Sequence, residues 1–153
     1  MSRLSHTRAD GTVRMVDVGG KPSTSRRAVA EGIVKLLPKH QAALMSLQKG
    51  DALVAAQIAG IQGGKRCSEL IPLCHPVALT DLDVRITQED EGLHILSEAA
   101  ASGPTGVEME AYTAVVVAGI TLIDMLKGVD PDLTLTDVRL LEKTGGKAPW
   151  KRS

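Results

Sequence analysis

Polar and apolar positions change rhythm several times along the 153 residues. Thr12 to Val18 (TVRMVDV) alternates and predicts a half-buried strand. From Thr24 or Ser25, either able to cap, the stripe Ala28, Val29, Ile33, Val34 and Leu37 predicts a helix to about Leu37. Pro38 ends it and opens a second helix to about Gln48, with Gly50 as the stop. Asp51 caps a third, whose stripe includes Leu53, Val54, Ile58 and Ile61. Ile71 to Pro76 (IPLCHP) has a proline near each end and predicts a rigid, extended passage. Leu79 to Gln88 alternates as a strand, Glu89 to Gly92 signals a hairpin turn, and Leu93 to Ala100 returns as a second strand.

Ser102-Gly103-Pro104 reads as a turn. Thr105 to Glu108 fits a capping box in front of a long helix to about Lys127, which Gly128 is placed to terminate. Val115-Val116-Val117 is apolar all round, so this helix should be buried on most sides. Leu133 to Leu141 alternates as a final strand. No repeat, low-complexity tract or linker divides the chain, so residues 1–153 read as one domain with flexible ends at about 1–11 and 148–153. Strand, helices, strand, strand, helix, strand is an α+β order. It matches the split β-α-β arrangement of ferredoxin-like folds, here with an expanded helical first crossover and an antiparallel sheet packed on helices.

Composition narrows the function. Eighteen basic and eighteen acidic residues cancel, so charge advertises neither nucleic acid nor an anionic membrane as partner. With no Phe, one Tyr and one Trp, the chain lacks platforms on which bases of single-stranded nucleic acid could stack. Such a core gains from further burial at subunit contacts. The longest apolar stretch, Ala111 to Ile123, is interrupted by polar residues and is short for a bilayer. The polar N-terminus shows no secretory signal, and two cysteines form no framework, so a cytoplasmic setting is expected.

Several familiar sites fail on spacing. Gly60 to Arg66 resembles a phosphate-binding loop but has Ala59 and Arg66 where glycine and Ser or Thr are required. Cys67, Cys74 and His75 match no zinc template, and no fourth ligand is near in sequence, so no metal or other cofactor is expected. His75, taken alone, reads as a satisfied core histidine. Glu108 is explained by the capping box, and Glu110 less well. Asp124 lies in the last turn of the long helix, where a carboxylate opposes the helix dipole. Lys127, three residues on, can pair with it. That is either a surface ion pair or an acid/base couple. Glu110 and Asp124 point in similar directions but are separated by roughly 21 Å along the helix. If both serve one site, two subunits build it. Lys49, Lys65, Arg66, Lys143 and Lys147 suit a polyphosphate only if gathered in one cleft.

The chain resembles the molybdenum cofactor biosynthesis protein C family from about His6 to Lys147. The resemblance is carried, in order, by Met15-Val16-Asp17-Val18, Ile58 to Gln62, Lys65-Arg66, Leu70 to Pro76 (LIPLCHP), Thr105 to Ala111 (TGVEMEA), Asp124 to Lys127 (DMLK) and Lys143 to Lys147 (KTGGK). It departs at Gly63-Gly64, where alanines are expected, and in lacking an acidic tail after Trp150. The resemblance implies a homohexamer, a trimer of dimers with sites at the dimer interface. It implies conversion of 3′,8-cyclo-7,8-dihydro-GTP to cyclic pyranopterin monophosphate with release of pyrophosphate, a lyase reaction. It also implies Asp124 as the acid/base with Lys127 as its partner. Leu73, Cys74, His75, Met109 and Glu110 are the implied substrate contacts, Lys65 and Lys143 further functional lysines, and Lys49 and Arg26 phosphate contacts. Two rivals share the topology. A non-catalytic, oligomeric module binding a small molecule leaves Asp124 with Lys127 unexplained. An RNA-binding domain is opposed by the missing aromatics.

Overall fold

The segment read as the first helix is the central strand of the sheet. In the computed structural model, which describes residues 6–44 and 51–153, Thr24–Lys35 forms β1. Ala28, Ala30 and Val34 are buried and alternate with Arg27, Glu31 and Lys35, a period of two. Val29 and Ile33 on the second face make the same residues fit a helical stripe. Pairing decides between the two periods. β1 is bonded along its length to β3 (Gly92–Gly103), from Thr24↔Gly103 to Lys35↔Gly92, and on its other side to β4 (Thr134–Thr144). Conversely, residues 12–18 find no such neighbour. Their alternation yields no strand, only a bridge between Thr7 and Val13, and Val13 and Met15 stay exposed.

After β1 come α1 (Pro38–Leu44), α2 (Ala52–Lys65) and α3 (Cys67–Leu70), then β2 (Leu79–Glu89), β3, α4 (Glu108–Leu126), β4 and β5 (Trp150–Lys151). The predicted second helix forms as far as Leu44; its continuation to Gln48 and the stop at Gly50 lie outside the described residues. Strand order is β2-β3-β1-β4-β5, and every pairing is antiparallel. β3 thus lies between β1 and β2, the split arrangement of ferredoxin-like folds, with three helices in the first crossover. β5, not foreseen in the pattern, pairs with the outer edge of β4.

α4 crosses one face of the sheet over β1, β3 and β4, with α2 beside it. The core between them is aliphatic: Val34, Leu93, Ile95, Val115, Leu122 and Leu126, with many alanines. By length and a mean hydropathy of 1.6, α4 is apolar enough to cross a membrane, yet its inner side is core. Val115 is fully buried, whereas Val116 and Val117 are half-buried and Ile120 is exposed.

Asp51 caps α2 as expected, accepting from the Leu53 and Val54 amides at 2.9 and 3.2 Å. The buried face of α2 is not the predicted stripe. Val54 and Ile58 are 47% and 53% exposed, and the buried residues are Ala52, Ala56, Gly60, Gly63 and Gly64. The reason is proximity. A Cβ at Gly60 would lie 2.8 Å from the Ala114 carbonyl oxygen, and one at Gly64 would lie 3.0 Å from that of Glu110. Small residues here let two helix backbones touch. The Gly63-Gly64 departure is therefore used by this chain's packing.

Candidate active site

The 71–76 segment begins as a turn instead of running extended throughout. The Cys74 amide donates to the Ile71 carbonyl at 3.0 Å, just after the Ile71 amide closes α3 on the Cys67 carbonyl at 2.9 Å. The turn puts Leu73, Cys74 and His75, all half-buried, on one wall of a cavity of about 560 Å³. The first turn of α4 supplies the facing wall through Met109 and Glu108, with Thr105 and Gly106 from the preceding loop. His6 closes one side. His75 Nε2 donates to the Val16 carbonyl oxygen at 2.7 Å. That bond fixes the tautomer, so the neutral ring offers Nδ1 as its acceptor.

The capping box does not form. α4 starts at Glu108 with Val107 as its cap, and no side chain caps it. The Glu108 carboxylate instead accepts from Lys143 Nζ at 3.0 Å. This ion pair borders a second, cationic pocket of about 200 Å³, lined by Arg26, Arg27, Lys143 and Lys147. Glu108 and Gly106 line both pockets. Arg26 is held by the Gly103 and Pro104 carbonyls, both at 3.2 Å. Gly145 and Gly146 have φ of +85° and +68°, and a Cβ on Gly146 would strike the Arg26 guanidinium. The KTGGK turn can wrap Arg26 because glycine accepts that backbone.

Glu110 lies beneath the first cavity, not on its wall. It is 3% exposed, and its Oε1 is 3.7 Å from Cys74 Sγ. Cys74 Sγ lies 3.8 Å from Cys67 Sγ, and Thr113 Oγ1 donates to Cys67 Sγ at 3.4 Å. Burial pushes all three acids up; the Cys74 thiol, with Glu110 beside it as well, reaches about 12.

The remaining residues lie apart. Asp124 and Lys127 form an i,i+3 ion pair at 2.5 Å at the far end of α4, with side chains 67% and 61% exposed. Neither lines the two pockets, nor does Lys65, exposed at the end of α2. Lys49 lies outside the described residues. One chain thus gathers Leu73, Cys74, His75 and Met109 in one pocket, and Arg26 and Lys143 in its neighbour. Arg27 and the role of Glu108 were not legible. Glu108 and Lys143 are 35 residues apart, and nothing in the sequence pairs them.

Known proteins resemble the chain over nearly its whole length. The family model described as "MoaC family" matches residues 15–146. The chain is 49% identical over 150 residues to the cyclic pyranopterin monophosphate synthase of Corynebacterium glutamicum, covering 97% of this chain and 96% of that one. It is 50% identical over 155 residues to the protein of that name from Rhodospirillum rubrum, covering 98% and 93%. Molybdenum cofactor biosynthesis protein 1 of Drosophila melanogaster is 47% identical over 155 residues, which are 99% of this chain and 27% of that longer protein. With matched residues running from Met15 through β1, the 71–76 segment, α4 and β4 to Gly146, the chain belongs to the MoaC family.

Proposed function

We propose that the chain is a lyase of molybdenum cofactor biosynthesis that converts 3′,8-cyclo-7,8-dihydro-GTP to cyclic pyranopterin monophosphate and pyrophosphate. The observation that carries this reading is the pair of adjoining pockets. One is lined by Leu73, Cys74, His75 and Met109 and suits the ring system. The other is cationic and suits the triphosphate. The near full-length likeness to synthases of that name supports the substrate.

In this reading Arg26, Lys143 and Lys147 hold the phosphates and stabilise the charge that develops on the leaving group. A sugar oxygen bonds to the α-phosphorus, the bond to the β-phosphate oxygen breaks, and pyrophosphate departs. His75 orients the ring system through Nδ1. Asp124 and Lys127 move protons as an acid/base pair while the purine-derived ring opens and closes. They lie far along α4 from Met109, so the acid/base pair of each site comes from a second chain. A dimer-interface site within a hexamer meets that requirement. The exposed Val54, Ile58 and Ile120 offer apolar surface for such contacts. Two free thiols suit a cytoplasmic setting.

The test is incubation with the cyclised GTP intermediate, following pyrophosphate release and pterin formation. Binding without turnover would instead support the small-molecule-binding module.

A further inference from the structure

Beneath the substrate cavity, three potential ligands meet from distant parts of the sequence. Cys67 opens α3, Cys74 closes the 71–74 turn, and Glu110 projects from the first turn of α4. Their ligating atoms all lie within 4.8 Å of one another. The sulfurs are 3.8 Å apart, and Cys74 Sγ is 3.7 Å from Glu110 Oε1. A tetrahedral zinc ion with bonds of about 2.3 Å to sulfur sets its sulfurs about 3.8 Å apart, and sulfur from carboxylate oxygen about 3.5 Å. Two edges of the cluster thus come close to those of a zinc tetrahedron, and the third, from Cys67 Sγ to Glu110, lies within 4.8 Å. A disulfide would need the sulfurs at about 2.05 Å.

A second observation points the same way. Glu110 is 3% exposed, and its Oε2 is one of the few buried side-chain oxygens with no hydrogen-bond partner among the described residues. Burying a carboxyl oxygen unpaired is costly. Among the described residues no basic side chain is paired with Glu110, whereas Glu108, two residues before it, takes Lys143. A cation supplies the missing partner.

We propose that Cys67 Sγ, Cys74 Sγ and a Glu110 carboxylate oxygen bind one thiolate-preferring divalent ion of the zinc class. Two soft sulfurs and one oxygen favour zinc over magnesium or calcium, which take all-oxygen sets. Binding displaces the thiol protons to solvent. Thr113, donating to Cys67 Sγ, is the outer-shell residue that orients that ligand. The fourth position is left to water or a cavity ligand, because Cys74 is shared with the cavity wall. The ion clamps the 71–76 turn to α3 and α4 and so fixes that wall. The site goes beyond the proposed reaction and stands without it.

The probe is cobalt(II), added to the intact assembly under a phosphine reductant after dialysis against a chelator. The expected result is one equivalent per chain, with a thiolate-to-cobalt charge-transfer band and strong visible bands of a four-coordinate centre. Cys67→Ser, Cys74→Ser and Glu110→Gln should each weaken binding by about tenfold or more. Zinc at a hundredfold excess over its Kd should raise Tm by roughly 5–10 °C, and magnesium should not. Absence of the charge-transfer band in the wild type overturns the site. So does a band that survives in the Cys67→Ser/Cys74→Ser double variant. If a variant fails to fold, protection of Cys74 in the wild type decides the matter. Zinc must slow its alkylation by iodoacetamide, and an unchanged rate refutes the proposal.

Discussion

Replacing Gly60 with alanine puts a methyl group where α2 and α4 meet backbone to backbone. The new Cβ would stand 2.8 Å from the Ala114 carbonyl oxygen, 3.1 Å from Ala118 Cβ and 3.3 Å from Val84 Cγ2. None of these atoms ends a long, flexible side chain, and α4 is pinned on the sheet. Overpacking of this kind costs about 1–3 kcal/mol. Alanine's better helix propensity returns about 1 kcal/mol. A main-chain contact puts the penalty near its upper end, so the net loss is about 1–2 kcal/mol. For a domain of this size, Tm should fall by roughly 2–8 °C. Thermal unfolding followed by circular dichroism at fixed protein concentration measures it, since subunit contacts add to apparent stability. Gly128→Ala is the control: a Cβ there meets nothing within 4 Å, and the change should stay within about 0.5 kcal/mol. A Gly60→Ala protein melting at or above the wild-type temperature would refute the claim that the two helices are held at backbone contact.

Asp124→Ala should lower kcat by about a hundredfold or more while sedimentation shows the same assembly; near wild-type pyrophosphate release would remove Asp124 from the chemistry. Mixing inactive Asp124→Ala chains with inactive His75→Ala chains should restore activity if a site is shared, and no recovery after confirmed subunit exchange would place a whole site in one chain. Lys143→Met should raise KM for the triphosphate substrate by about 10- to 100-fold, read from steady-state pyrophosphate release. The hydrogen bond from Arg27 holds the Glu98 carboxyl below its ordinary value of 4.5. That contribution is present above the ordinary value and is lost as pH falls through the lowered one. Arg27→Met should therefore flatten the stability loss on the acid side of pH 4.5 in urea titrations, and an unchanged slope would show that the pair contributes nothing.

Strands β2, β3 and β4 were legible because each had a local signal. β2 and β3 alternate on either side of a glycine-bearing turn, and β4 alternates cleanly after α4. β1 was not, because its identity comes from two neighbours distant in sequence. Its alanines and valines fit both periods, and only pairing with β3 and β4 selects one. The same holds for α2, where glycine carries the buried face and leaves no hydrophobic stripe to read. At the site, Leu73, Cys74, His75, Met109, Arg26 and Lys143 were singled out through the motifs' resemblance and not through spacing, and they line two adjoining pockets. Cys67 and Cys74 were noticed and set aside for want of a nearby ligand. Glu110 is 36 residues beyond Cys74, and tertiary structure alone brings it there.

The central place of β1 also dictates an order of events during synthesis. The strand leaves the ribosome early, but Lys35 pairs with Thr134 and Arg27 with Thr144. At about 5–20 residues per second, it waits on the order of 5–20 s for its last partner. Until β3 arrives both of its edges are open to any other strand, and from then until β4 arrives one still is. Arg26, Arg27, Glu31 and Lys35 then serve as gatekeepers that keep nascent copies apart until the chain's own C-terminal half arrives. Pairings of such long sequence separation make folding slow. Exchanging these charges for apolar residues should lower soluble yield during expression more than it lowers the stability of the finished fold.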